Sequence, residues 1–168
     1  MPTTLRGLLT WIREHPAYRE VRDDLRCDTV EGTRPPSSAT TVEGPVDGVP
    51  TAMLFAQAKP AVTAALLGEI EAPVVIIVPT IEESRRLTDA LQTWMAAPSR
   101  LIQFPEPPGL LYERVPWPPE VIDDRLNVIS QLATAPMDDG AQPPPVIVTS
   151  TRALMRRTLP YRQFRKAI

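Results

Sequence analysis

This sequence predicts an α/β fold, a mainly parallel sheet flanked by helices, and three observations carry the prediction. Residues 74–78, Val-Val-Ile-Ile-Val, form an unbroken apolar run bounded by prolines, as in a strand buried on both faces. Behind it, Leu87, Ala90, Leu91, Trp94 and Met95 recur at helical spacing after a Thr80-x-x-Glu83 capping pattern. Strand followed by helix then recurs along the chain, four times in all, and that alternation implies parallel strands with helices on both faces.

The elements follow in order. Leu5, Leu8, Leu9 and Ile12 make one helical stripe, and His15-Pro16 ends it, because a residue before proline avoids the α region. A second helix over 17–26 turns Tyr18, Val21 and Leu25 inward, so residues 1–26 read as a helical hairpin too short to stand alone. Residues 27–50 are rich in Thr, Ser, Gly, Pro and Asp and read as a flexible loop. The main domain spans 51–158. Its first strand is expected at 51–56 (TAMLFA), and Lys59-Pro60 then opens a helix burying Val62, Ala65, Leu66 and Ile70.

A short strand is expected at 101–104. Residues 105–119 hold six prolines in fifteen positions, which excludes regular structure; Leu110, Leu111, Tyr112 and Trp117 are apolar enough to anchor the loop on the core. A helix over 120–134 turns Ile122, Leu126, Ile129 and Ala133 inward, and 135–145 is a second proline-rich loop. The last strand runs from Val146 to Val148, with Thr151 as the expected cap of a helix carrying Leu154 and Met155. Residues 159–168 begin a connection to whatever follows.

At 168 residues and 43% hydrophobic, the chain can bury one solid core. Its net charge of −2 hides an asymmetry: residues 1–151 balance at about −8, while 152–168 carry Arg152, Arg156, Arg157, Arg162, Arg165 and Lys166 with no acid. That basic stretch is read as facing solvent or a neighbouring domain. A single cysteine, Cys27, excludes an internal disulfide or a cysteine-based zinc cluster and fits a reducing cytoplasm. Charged residues interrupt the leucines of 1–20, and the apolar runs are too short to span a bilayer, so neither leader nor membrane partner is expected.

Candidate chemistry is sparse. The loop after the first expected strand reads FAQAKPAVTAA. Lys59 stands where a nucleotide-binding loop keeps its lysine, but no glycine precedes it, and Pro60 replaces the magnesium-binding hydroxyl and removes an N–H. His15, the only histidine, has no nucleophile beside it and reads as a helix terminus. Glu82-Glu83 suit a helix first turn. Asp123-Asp124 lie on an outer helix face, and Asp138-Asp139-Gly140 is turn chemistry. The expectation is therefore no catalytic, cofactor-binding or metal-binding residue in this chain.

Several segments, taken in order, resemble one family. LRGLLTWIREHPAYREVRDDL is similar to the N-terminal helical hairpin of bacterial transcription-repair coupling factors (Mfd), and PVVIIVPTIEESRRLTDAL resembles their second strand and helix. The stretch 104–132 resembles a specific pattern of that family through Phe104, Pro105, Leu111, Tyr112, Glu113, Pro116, Glu120, Arg125, Leu126, Ile129 and Leu132. PVIVTSTRALMRRTLP is similar to the closing strand and helix.

What the resemblance implies is a degenerate RecA/helicase-like domain, like domain 1a of the damage-recognition protein UvrB. Such factors displace stalled RNA polymerase from damaged DNA and recruit excision repair through UvrA, bound by the following domain. The ATP- and magnesium-dependent motor and the contacts to polymerase and DNA belong to other domains. On this reading the chain is a non-catalytic scaffold whose partners are the remaining domains of its parent. The rival reading is a fragment of an ATP-dependent superfamily 2 helicase with a divergent phosphate loop. A third, nucleic-acid binding through the arginine-rich tail, rests only on Tyr161 and Phe164 interleaving with the arginines.

Overall fold

A computed structural model describes residues 7–30, 53–109, 113, 115–134 and 143–158. The chain divides into two compact units, Met1–Glu69 and Ile70–Ile168. The division falls inside the span 51–158 that the sequence reading takes as one domain.

The described residues of the first unit form three helices, α1 (Leu8–Glu14), α2 (Pro16–Val30) and α3 (Lys59–Leu67). Helix α1 stops at His15, whose backbone is extended (φ −68°, ψ 131°) as Pro16 demands, and Pro16 opens α2. The inward side of α1 is set by Leu9, whereas Leu8 is half-exposed, so the expected apolar stripe is only partly buried. In α3 the buried residues are Ala61, Ala64, Ala65 and Leu67 rather than a stripe centred on Val62 and Leu66. Small residues allow close packing of the helix backbone. At Gly68 the guanidinium of Arg13 occupies the space a β-carbon would need, while donating to the Ala65 carbonyl at 3.4 Å.

Among the described residues of the expected first strand, 53–56, none is in a strand. Met53 and Phe55 are 101% and 86% exposed, residues 53–55 pair with no strand, and the chain turns at once into α3, with Ala58 N–H donating to Phe55 O at 2.9 Å. An apolar, β-prone run becomes a strand only where a neighbour accepts its N–H and C=O groups.

The second unit is the α/β part. Strands β1 (Val74–Val78), β2 (Leu101–Phe104) and β3 (Val146–Ser150) form a parallel sheet in the order β1-β3-β2. Helix α4 (Ile81–Trp94) joins β1 to β2, a 3₁₀ turn (Pro98–Arg100) leads into β2, α5 (Pro119–Thr134) joins β2 to β3, and α6 (Thr151–Met155) follows β3. The path moves outward from β1 to β2 and then back to β3. Crossovers of one hand that reverse direction place their helices on opposite faces. The side chains agree: Gln103 donates to Ser84 Oγ of α4 at 3.4 Å, while Phe104 and Ile147 pack with Val128 of α5 on the other face.

The strand buried throughout is β3, not β1. All five β3 residues are buried, whereas Val75 and Ile77 of β1 are 47% and 56% exposed. Position in the sheet decides this. β3 has neighbours on both sides, and among the described residues β1 pairs with β3 alone.

Caps and stripes show where local reading succeeds and fails. Thr80 caps α4, its hydroxyl accepting from Glu83 N–H at 3.2 Å. The cap of α6 is Ser150, accepting from Ala153 N–H at 3.1 Å, one residue before the expected Thr151. Thr151 instead donates to Val78 O at 3.3 Å. On α4 the innermost stripe is Ser84, Thr88, Leu91 and Met95, since the Thr88 hydroxyl is satisfied by Ser84 O at 2.8 Å and can be buried. On α5 the inward positions are Arg125 and Val128, and Ile122 is 41% exposed.

Candidate functional site

The densest polar constellation of the second unit lies where β2 and β3 end, and an arginine organises it. Arg125, in the second turn of α5, is only 2% exposed. Its Nη1 donates to Pro105 O at 2.8 Å and to Ala153 O at 3.3 Å; its Nη2 donates to Ala153 O and Arg156 O, each at 3.3 Å. The guanidinium carbon lies 4.0 Å from the Phe104 ring centroid and 5.3 Å from that of Trp117. The cation is thus held between two π faces and three carbonyl dipoles. Burial, and secondarily the charge of Arg156, pulls its pKa down to about 10, which leaves it protonated at neutral pH.

A second layer ties the same loop to α6. Glu106 accepts the Ser150 hydroxyl at 2.7 Å and pairs with Arg152 Nε at 2.9 Å. Arg152 and Arg156 both donate to Gly109 O, at 2.8 and 2.7 Å. Gly109 sits at φ +84°, a left-handed conformation costly to any residue with a β-carbon. Thr149 donates to Phe104 O at 3.2 Å and holds the end of β2 against β3. Arg152 thus pairs with Glu106, while Arg125, Arg152 and Arg156 all donate to main-chain carbonyls. That arrangement fixes a loop and does not gather donors around an open cavity.

Sequence reasoning recognised Arg125 only as a position of the resemblance and missed that it points inward. The available signal was its place between Val121 and Val128 on the helix, masked by the habit of reading charge as surface. Two tail arginines expected to face solvent or a neighbour, Arg152 and Arg156, are drawn onto the loop instead; Arg157 is exposed. Trp117 does meet the core, through Arg125 rather than through an apolar pocket. Leu110, Leu111, Tyr112, Asp138, Asp139, Arg162, Arg165 and Lys166 lie outside the described residues.

Lys59 and Pro60 open α3, with Ala58 as a helical N-cap that makes no side-chain cap bond. His15 is exposed at the end of α1, its Nδ1 accepting from Ala17 N–H at 3.3 Å. Glu82 and Glu83 occupy the first turn of α4, and Asp123 and Asp124 are exposed on α5. In the first unit Glu69 accepts from Tyr18 Oη at 3.1 Å and pairs with Arg13 at 3.4 Å and Arg22 at 3.8 Å. Burial first, then the charge of Glu69 and the hydrogen bond to it, lifts the Tyr18 pKa to about 12. Among the described residues, no three His, Cys, Asp or Glu side chains group as metal ligands, and no helix is long and apolar enough to cross a membrane.

A shallow groove of about 180 Å³ runs along the face shared by β1 and α5, floored by Val75 and Ile147 and walled by Ile129, Leu132 and Leu154. A scan against protein-family models and a search of curated proteins return no match.

Proposed function

We propose that this chain is a non-catalytic scaffold and interaction domain of a bacterial transcription-repair coupling factor, with a degenerate RecA/helicase-like core behind an N-terminal helical hairpin. The observation that carries the proposal is where the residues of the resemblance meet. Phe104, Pro105 and Arg125 all belong to the 104–132 pattern, and Arg125 stacks on the first while donating to the carbonyl of the second. A pattern that couples a strand end, a proline-rich loop and a helix through one buried cation makes physical sense as a fold-defining lock. A parallel three-stranded sheet with helices on both faces is compatible with part of such a core.

On this reading the chain neither binds nor hydrolyses ATP, because FAQAKPA offers no glycine-lined cradle of N–H groups for phosphate. It works in the cytoplasm, its partners are the other domains of its parent, and UvrA is engaged by the domain that follows. Two measurements test it. Calorimetry of the chain with ATP and magnesium is expected to give no heat of binding; a micromolar dissociation constant would favour the helicase-fragment reading. Pull-downs with UvrA are expected to recover it with the intact parent protein and not with residues 1–168 alone. Failure of the parent to retain UvrA would remove the repair assignment.

A further inference from the structure

We draw no further inference here: the strongest candidate, the apolar groove between α5 and the uncovered Val75 face of β1, carries nothing because nothing in the structure shows what covers it.

Discussion

The guanidinium carbon of Arg125 sits 4.0 Å from the centroid of the Phe104 ring, and this contact joins the last residue of β2 to the second turn of α5. Burying a cation without a carboxylate is costly. Here the cost is offset by hydrogen bonds to Pro105, Ala153 and Arg156 carbonyls and by the ring faces of Phe104 and Trp117. In exchange, the carbonyls of Pro105 in the loop and of Ala153 and Arg156 at the end of α6 each receive a donor. A planar five-donor group suits that task better than a point charge.

Replacing Arg125 should therefore destabilise the second unit even when the new side chain is apolar. Arg125→Met leaves the carbonyls without donors, and Arg125→Lys supplies too few in the wrong geometry; each should cost about 2–3 kcal/mol. Urea unfolding followed by circular dichroism measures this. Parent-like stability in Arg125→Met would mean that water serves the carbonyls equally well.

Loop geometry gives a second test. A β-carbon at Gly109 would lie 3.2 Å from Glu113 Oε2 and 3.3 Å from Val115 Cγ2, on a backbone at φ +84°. Gly109→Ala should cost about 1–2 kcal/mol, since left-handed backbone disfavours L side chains. Trp117→Ala should cost about 1–2 kcal/mol through lost stacking on Arg125. If both substitutions leave the thermal midpoint unchanged, the loop is not held by the arginine lock.

Alkaline pH should act on the two units with opposite sign. The folded state keeps the Tyr18 proton up to about 12, where an unfolded tyrosine loses it near 10, so this contribution is complete below 10 and lost as pH rises towards 12. Arg125 behaves oppositely: its folded pKa lies below the usual guanidinium value, at about 10, so its burial becomes less unfavourable as pH passes that point. Compared with the parent, Tyr18→Phe should lose less stability between about pH 10 and pH 12. Its absorbance titration should also lack a phenol that ionises near pH 12. Identical pH profiles for parent and variant would refute the Tyr18–Glu69 coupling.

The sheet predicts unequal tolerance along two neighbouring strands. Ile77, 56% exposed on β1, should accept threonine at a cost below about 0.5 kcal/mol, as surface positions generally do. Val148, fully buried in β3, should lose about 1–3 kcal/mol on the same change, because the new hydroxyl is buried without a designed partner. Equal costs at the two positions would contradict the β1-β3-β2 order.

Binding to duplex DNA should be weak, indifferent to lesions and lost steeply with salt. Arg152 and Arg156, a third of the basic tail's six charges, are already committed to the Gly109 carbonyl. Fluorescence anisotropy over a salt series measures this; submicromolar, lesion-selective binding at physiological salt would overturn the scaffold reading.

Much of the local structure is legible from the residues alone. The run 74–78, the Thr80 cap and the Pro16 break act within a few residues, and the structure bears out the strand, the cap and the helix end they predict; the described residues among 105–118 are irregular, whereas Pro119 opens α5. What the tertiary structure decided was pairing and sidedness. TAMLFA has the residues of a strand, but among the described residues 53–55 have no strand neighbour, and the strand-like β1 pairs with β3 alone while β3 takes the centre. Likewise the burial of Arg125 depends on acceptors contributed elsewhere: Pro105, Ala153 and Arg156. A polar side chain can enter a core only when its partners are already positioned there, and no local pattern records where distant carbonyls will be.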